Sequence, residues 1–101
     1  MITYSFPIKN SQNFSQIVSA LEIAFSAVMH TTSPLPTSLT DINGSVGMVC
    51  SPEGCILYVY FYENANEYQL KNSSGNVIYQ SKALTTIPSK TEVQNVIGDL
   101  L

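Results

Sequence analysis

Residues Cys55 to Glu63 read CILYVYFYE, so Leu57, Val59 and Phe61 alternate with Tyr58, Tyr60 and Tyr62. Successive side chains on a strand point to opposite faces, and the run predicts a sheet with an aliphatic row on one face and a tyrosine row on the other. A strand wetted on one side normally carries Thr, Lys, Glu or Ser there; tyrosines in that row predict a second face that meets another surface. Ile56 shares that face. Tyr58, Tyr60, Tyr62 and Ile56 are therefore the candidate interface residues.

The chain around this run carries the punctuation of an antiparallel sheet. Strands are expected over 45–51, 55–63, 67–72 and 76–80, with turn chemistry at Ser51-Pro52-Glu53-Gly54 and Asn72-Ser73-Ser74-Gly75. Four-residue loops set Cys50 opposite Cys55, Met48 opposite Leu57 and Val46 opposite Val59, and they add Tyr68, Leu70, Val77 and Tyr79 to the same apolar face. A three-residue loop with a bulge at Gly54 or Gly75 would mix the faces.

Ahead of the sheet, Ile2, Tyr4 and Phe6 alternate before Pro7, which predicts a short edge strand. Phe14, Ile17, Val18, Leu21, Phe25 and Val28 then recur at helical spacing, with Asn10, Ser11 or Asn13 available to cap. Ala20, Ile23, Ala24 and Ala27 widen the apolar sector, which predicts cover on more than one side. Residues 31–44 hold two prolines and no periodicity, a long loop. Near the end, Ser89 and Glu92 form a capping box ahead of Val93, Val96, Ile97 and Leu100.

The order β-α-β-β-β-β-α predicts a single domain over 1–101. It is a two-layer α+β fold with an antiparallel sheet of four to five strands and helices on one face. The first six elements follow an order similar to that of the cystatin fold, though none of that family's inhibitory loop residues is present, so the likeness concerns arrangement alone.

Composition narrows the function classes. Charged residues are 11% of the 101, against about 25% in ordinary domains. The net charge is −3, with four scattered lysines and no arginine, which leaves no cationic cluster to bind nucleic acid. The longest apolar stretch, 17–29, is interrupted by Glu22 and falls short of the roughly 20 residues that cross a bilayer. The first ten residues lack a charged lead and an apolar core, so the expectation is a cytoplasmic chain with no membrane partner. Asn13-Phe14-Ser15, Asn43-Gly44-Ser45 and Asn72-Ser73-Ser74 match the glycosylation triplet, as a chain so rich in Asn and Ser does by chance.

Few residues suggest reaction chemistry. Cys50 and Cys55 face each other in the expected register. The leading expectation is two buried free thiols, the second a cross-strand disulfide, and the third a metal site, which would need ligands the chain does not offer. His30 is expected at the end of the first helix, where an imidazolium suits the helix dipole, and Asp41 is its nearest acidic candidate as an orienting group. No nucleophile elbow, phosphate loop or dinucleotide fingerprint occurs, so no catalytic residue, metal or cofactor is expected.

The sequence therefore predicts a non-catalytic protein that binds a protein partner, either itself as a homodimer or a target, through the tyrosine face. Inhibitors, immunity or anti-defence factors, adaptors and minor assembly subunits are all of this kind. The alternative is a small-molecule-binding domain whose pocket lies between the sheet and the Pro-rich loop from Ser33 to Thr40.

Overall fold

The computed structural model describes residues 2–31 and 40–101. Its elements are β1 (Ile2–Ile8), α1 (Phe14–Phe25), β2 (Met29–His30), β3 (Thr40–Ile42), β4 (Gly44–Ser51), β5 (Gly54–Phe61), β6 (Gln69–Lys71), β7 (Val77–Ser81) and α2 (Lys90–Ile97). Helices and strands are both present, and the class is α+β. Of the loop expected over 31–44, residues 32–39 lie outside the described residues, while Thr40 to Ile42 form a strand.

The alternating run forms the centre of a four-stranded sheet ordered β1-β5-β4-β2. The β4–β5 hairpin has the register that the apolar pattern requires, with Cys50 opposite Cys55, Met48 opposite Leu57 and Val46 opposite Val59. β1 runs antiparallel along the other side of β5, as an edge strand carrying Pro7. Leu57, Val59 and Phe61 are fully buried, and they pack in one core with Ile17 and Leu21 of α1 and Val93 and Ile97 of α2. Both helices thus gather on the face that the aliphatic row defines.

The remaining strands do not extend this sheet. β3, β7 and β6 form a second sheet in that order, with β3 parallel to β7, and each sheet is mixed because β2 also pairs parallel to β4. The expected pairing of 67–72 with β5 is absent because the chain leaves the sheet after Phe61. Residues 63–67 are exposed and irregular, with Asn66 in the left-handed region at φ 66°. Tyr68, Leu70, Val77 and Tyr79 therefore belong to the second sheet and not to the Leu57 face. The turn between β6 and β7 forms around Asn72, whose side-chain oxygen accepts from Ser74 and Asn76. A register shift at Leu70/Lys71 alters the alignment that a four-residue loop would give.

Asn43 bridges the sheets by hydrogen bonds. The Asn43 side-chain oxygen accepts from the Val28 main chain at 2.8 Å, and its amide nitrogen donates to the Lys82 carbonyl at 3.1 Å. Its main chain donates to the Val28 carbonyl and accepts from the N–H of Tyr62. The glycosylation triplet at this position is thus a structural junction whose side-chain amide is already used.

The helix boundaries follow from local bonding. α1 ends at Phe25 because Ser26 adopts a left-handed conformation, earlier than the apolar spacing predicts, and this leaves Val28 partly exposed. Asn13 stands at its N-terminus without a side-chain cap bond and donates instead to the Leu100 carbonyl. Ile23 is 82% exposed, so no described residue covers the second side of the helix. In α2 both halves of the Ser89–Glu92 capping box form.

Cys50 and Cys55 are joined as a disulfide. This corrects the leading expectation of buried free thiols. Cys50 is exposed and Cys55 only half-buried, so burial does not account for them, and their Cα atoms lie 4.0 Å apart across the hairpin. A crosslink over so short a loop stabilises by about 2 kcal/mol through the unfolded chain. Thiol titration of denatured, unreduced protein should find no free thiol. Cys50→Ala/Cys55→Ala should keep the fold and lower the urea midpoint by an amount matching that loss.

Candidate functional site

The face opposite the helices is built by alternation. Across it, Ser5, Tyr58 and Gly47 lie side by side, as do Thr3, Tyr60 and Ser45. Glycine at position 47 leaves the Tyr58 ring without a neighbour on β4, and no atom lies within 4 Å of where a Gly47 Cβ would be. The rings of Tyr58 and Tyr60 stack with centroids 6.3 Å apart and 21° between planes, both half-exposed. Ile56 is half-buried on the same face beside Val49, which is 61% exposed. Three of the four candidate interface residues are therefore together on an accessible surface.

Tyr62 is not. It lies beyond the end of β5, only 4% exposed, and its ring stacks on that of Tyr68 at 5.8 Å. Burial raises its phenol pKa above the usual value, against a hydrogen bond from Ser45 that works the other way. Tyr62 is a packing residue between the two sheets, and this corrects its assignment to the interface.

His30 is also displaced from expectation. It lies on β2 beside Ser45 and not at a helix end, so the dipole argument does not apply. Its ring meets Tyr68 at 5.5 Å and Tyr79 at 5.4 Å, and Nε2 lies 3.3 Å from the Tyr68 hydroxyl. Burial lowers its pKa from 6.5, which favours the neutral ring at pH 7. Asp41 does not orient it. That carboxylate is exposed and lies 4.0 Å from the Lys82 ammonium, a surface pair of little energetic weight.

These elements bound an open groove of about 600 Å³. Tyr58, Tyr60, Tyr62 and Tyr68 line it together with His30 and Phe14 of α1. Between them stand Val46 to Val49, whose side chains belong alternately to the two faces of the sheet. A groove with both faces of one strand in its wall runs round the edge of that strand. Sequence reasoning missed this feature because strand order is nonlocal: β2 is two residues long and has no periodicity of its own.

Of the Pro-rich loop expected as the opposite wall of a pocket, residues 33–39 lie outside the described residues and Thr40 begins β3. Among the described residues no three His, Cys, Asp or Glu side chains come together to hold a metal, and no helix is long and apolar enough to cross a membrane. No family model, curated protein or solved structure matches this chain.

Proposed function

We propose that this chain is a single-domain, non-catalytic protein-interaction protein that binds itself or a target protein through the sheet face carrying Tyr58, Tyr60 and Ile56. The observation that carries this reading is the groove, in which a stacked tyrosine pair flanks a strand edge. Aromatic side chains supply a disproportionate share of interface energy, and a strand edge adds main-chain hydrogen bonds that side chains alone do not. Magnitude explains why both are needed. Half-burial of two tyrosines removes roughly 200 Å² from water, worth about 5 kcal/mol, while association costs roughly 4 to 15 kcal/mol.

Inhibitor, immunity or anti-defence factor, adaptor and minor assembly subunit all fit this mode of action, with no nucleic-acid or membrane partner and no cofactor. Location bears on the choice. A crosslinked hairpin is chemistry of an oxidising compartment and weighs against the cytoplasmic expectation, which thiol titration of protein trapped at lysis decides.

Tyr58→Ser/Tyr60→Ser should retain secondary structure and abolish dimerisation or partner capture, because both rings lie outside the core. Unchanged mass in solution and unchanged partners would remove this reading. A second reading rests on the volume of the groove and on the His30–Tyr68 and Ser45–Tyr62 polar groups at one end, features of a small-ligand site. A melting temperature raised by ligand, independent of protein concentration, favours it.

A further inference from the structure

We infer that the partner is a second copy of this chain, joined by antiparallel pairing of β4 with β4 across a twofold axis at Val49. The inference rests on the protein-binding reading above and specifies its partner and geometry.

The direction of the main-chain groups comes first. The Tyr62 N–H donates to the Asn43 carbonyl, and the register continues Asn43–Tyr62 into Gly44–Phe61. Hydrogen-bonded and non-hydrogen-bonded pairs alternate along an antiparallel ladder, so Ser45, Gly47, Val49 and Ser51 are the β4 residues that bond to β5. The 4.0 Å approach of the Cys50 and Cys55 Cα atoms agrees, since close pairs are the non-hydrogen-bonded ones. Met48 and Cys50 therefore turn their N–H and C=O groups away from β5. On that side β2 pairs with β4 only at Gly44 and Ser45, and no described strand pairs with β4 beyond them.

Among the described residues this edge lacks the usual protection. Sheet edges are blunted by lysine, proline, bulges or shortness, because an open row of donors and acceptors recruits another strand. The opposite edge of the sheet has Pro7. β4 reads GSVGMVCS over eight residues, with no charge and no proline, and pairs with β5 without a bulge.

The sequence of the edge specifies a second copy over an arbitrary peptide. Gly47, Val49 and Ser51 run small, large, small on the tyrosine face, which is self-complementary about Val49. With the axis there, Met48 of each copy faces Cys50 of the other, each pair exchanging both main-chain hydrogen bonds. Val49 faces its own copy at a close, non-hydrogen-bonded pair, and Gly47 faces Ser51, so no bulky side chain competes for that space. The two exposed Val49 side chains cover one another. The tyrosine stacks of both copies then lie on the same face of one sheet that is continuous through the dimer. The isologous contact closes on itself, so pairing stops at two.

The test uses the full chain in solution. Light scattering across a wide concentration range should find a monomer–dimer equilibrium. Amide exchange at Met48 and Cys50 should slow as concentration rises. Val49→Lys sets two ammonium groups on the axis and should weaken the dimer at least about 100-fold. Its circular dichroism should be unchanged because position 49 is exposed, and Val49→Thr should remain dimeric. Three results would each overturn the inference: a wild-type monomer at every concentration, exchange protection at Met48 and Cys50 that does not depend on concentration, or a Val49→Lys protein as dimeric as wild type. The broader reading fails separately. A monomer that still captures a target, and loses it on Tyr58→Ser/Tyr60→Ser, removes the β4 pairing and keeps the tyrosine face.

Discussion

Val59→Asp should yield no folded protein. Val59 is fully buried in the central strand, opposite Tyr4 on one side and Val46 on the other, within the core that α1 and α2 close. A carboxylate there has no cation in the core to pair with, and an uncompensated buried charge costs about 3–5 kcal/mol. The total stability of a domain this size is roughly 5–15 kcal/mol, to which a lost apolar contact must also be charged. Circular dichroism and one-dimensional NMR read the outcome directly. Tyr60→Ser changes the next residue on the same strand, which faces the other way, and should keep the native spectrum. A folded Val59→Asp beside an unfolded Tyr60→Ser would mean that the faces are exchanged.

Gly44→Ala should be strongly destabilising although it removes no atom. Gly44 is buried at the start of β4, and a methyl group there would overlap the main-chain oxygen of Tyr60 and crowd the Met29 Cε at 3.0 Å. The methionine can swing aside. The carbonyl cannot move without disturbing the β4–β5 ladder, so the substitution should cost about 3 kcal/mol. Gly47→Ala in the same strand meets nothing within 4 Å. It should be neutral or stabilise by about 0.5–1 kcal/mol, because glycine loses more freedom on folding. Urea midpoints of the two variants measure the contrast. Equal midpoints would show that the close approach at Gly44 does not exist.

Much of the first sheet was legible because its determinants are local. The β4–β5 register follows from the alternation around Val59 and from the Pro52-Glu53 turn, and the start of α2 follows from a capping pair three residues apart. The rest depended on contacts with no local signal. Ser26 ends α1 in a left-handed conformation usually left to glycine, and that early stop carries His30 onto a strand. Tyr62 continues the alternation of β5 in sequence, yet it is buried because Tyr68, six residues on, returns to stack upon it. β2 and β3 are two and three residues long and exist only through parallel partners distant in the chain. Of the candidate site, the tyrosines at 58 and 60 were readable from their spacing. The edge of β4 beside them was not, since which strands pair with β4 among the described residues is a property of strand order.

The junction at Asn43 bears on how evenly stability is spread through the molecule. No ladder crosses between the sheets. Among the described residues they are held by the bonds of Asn43 and by ring contacts of His30 with Tyr68 and Tyr79 and of Tyr62 with Tyr68. Ile42 and Tyr62 are buried, yet both stand apart from the main core cluster. The two sheets should therefore open as separate cooperative units in the sense that hydrogen exchange detects. Amides of β6 and β7 should report a sub-global opening at lower free energy than those of β5, and Asn43→Ala should lower it further.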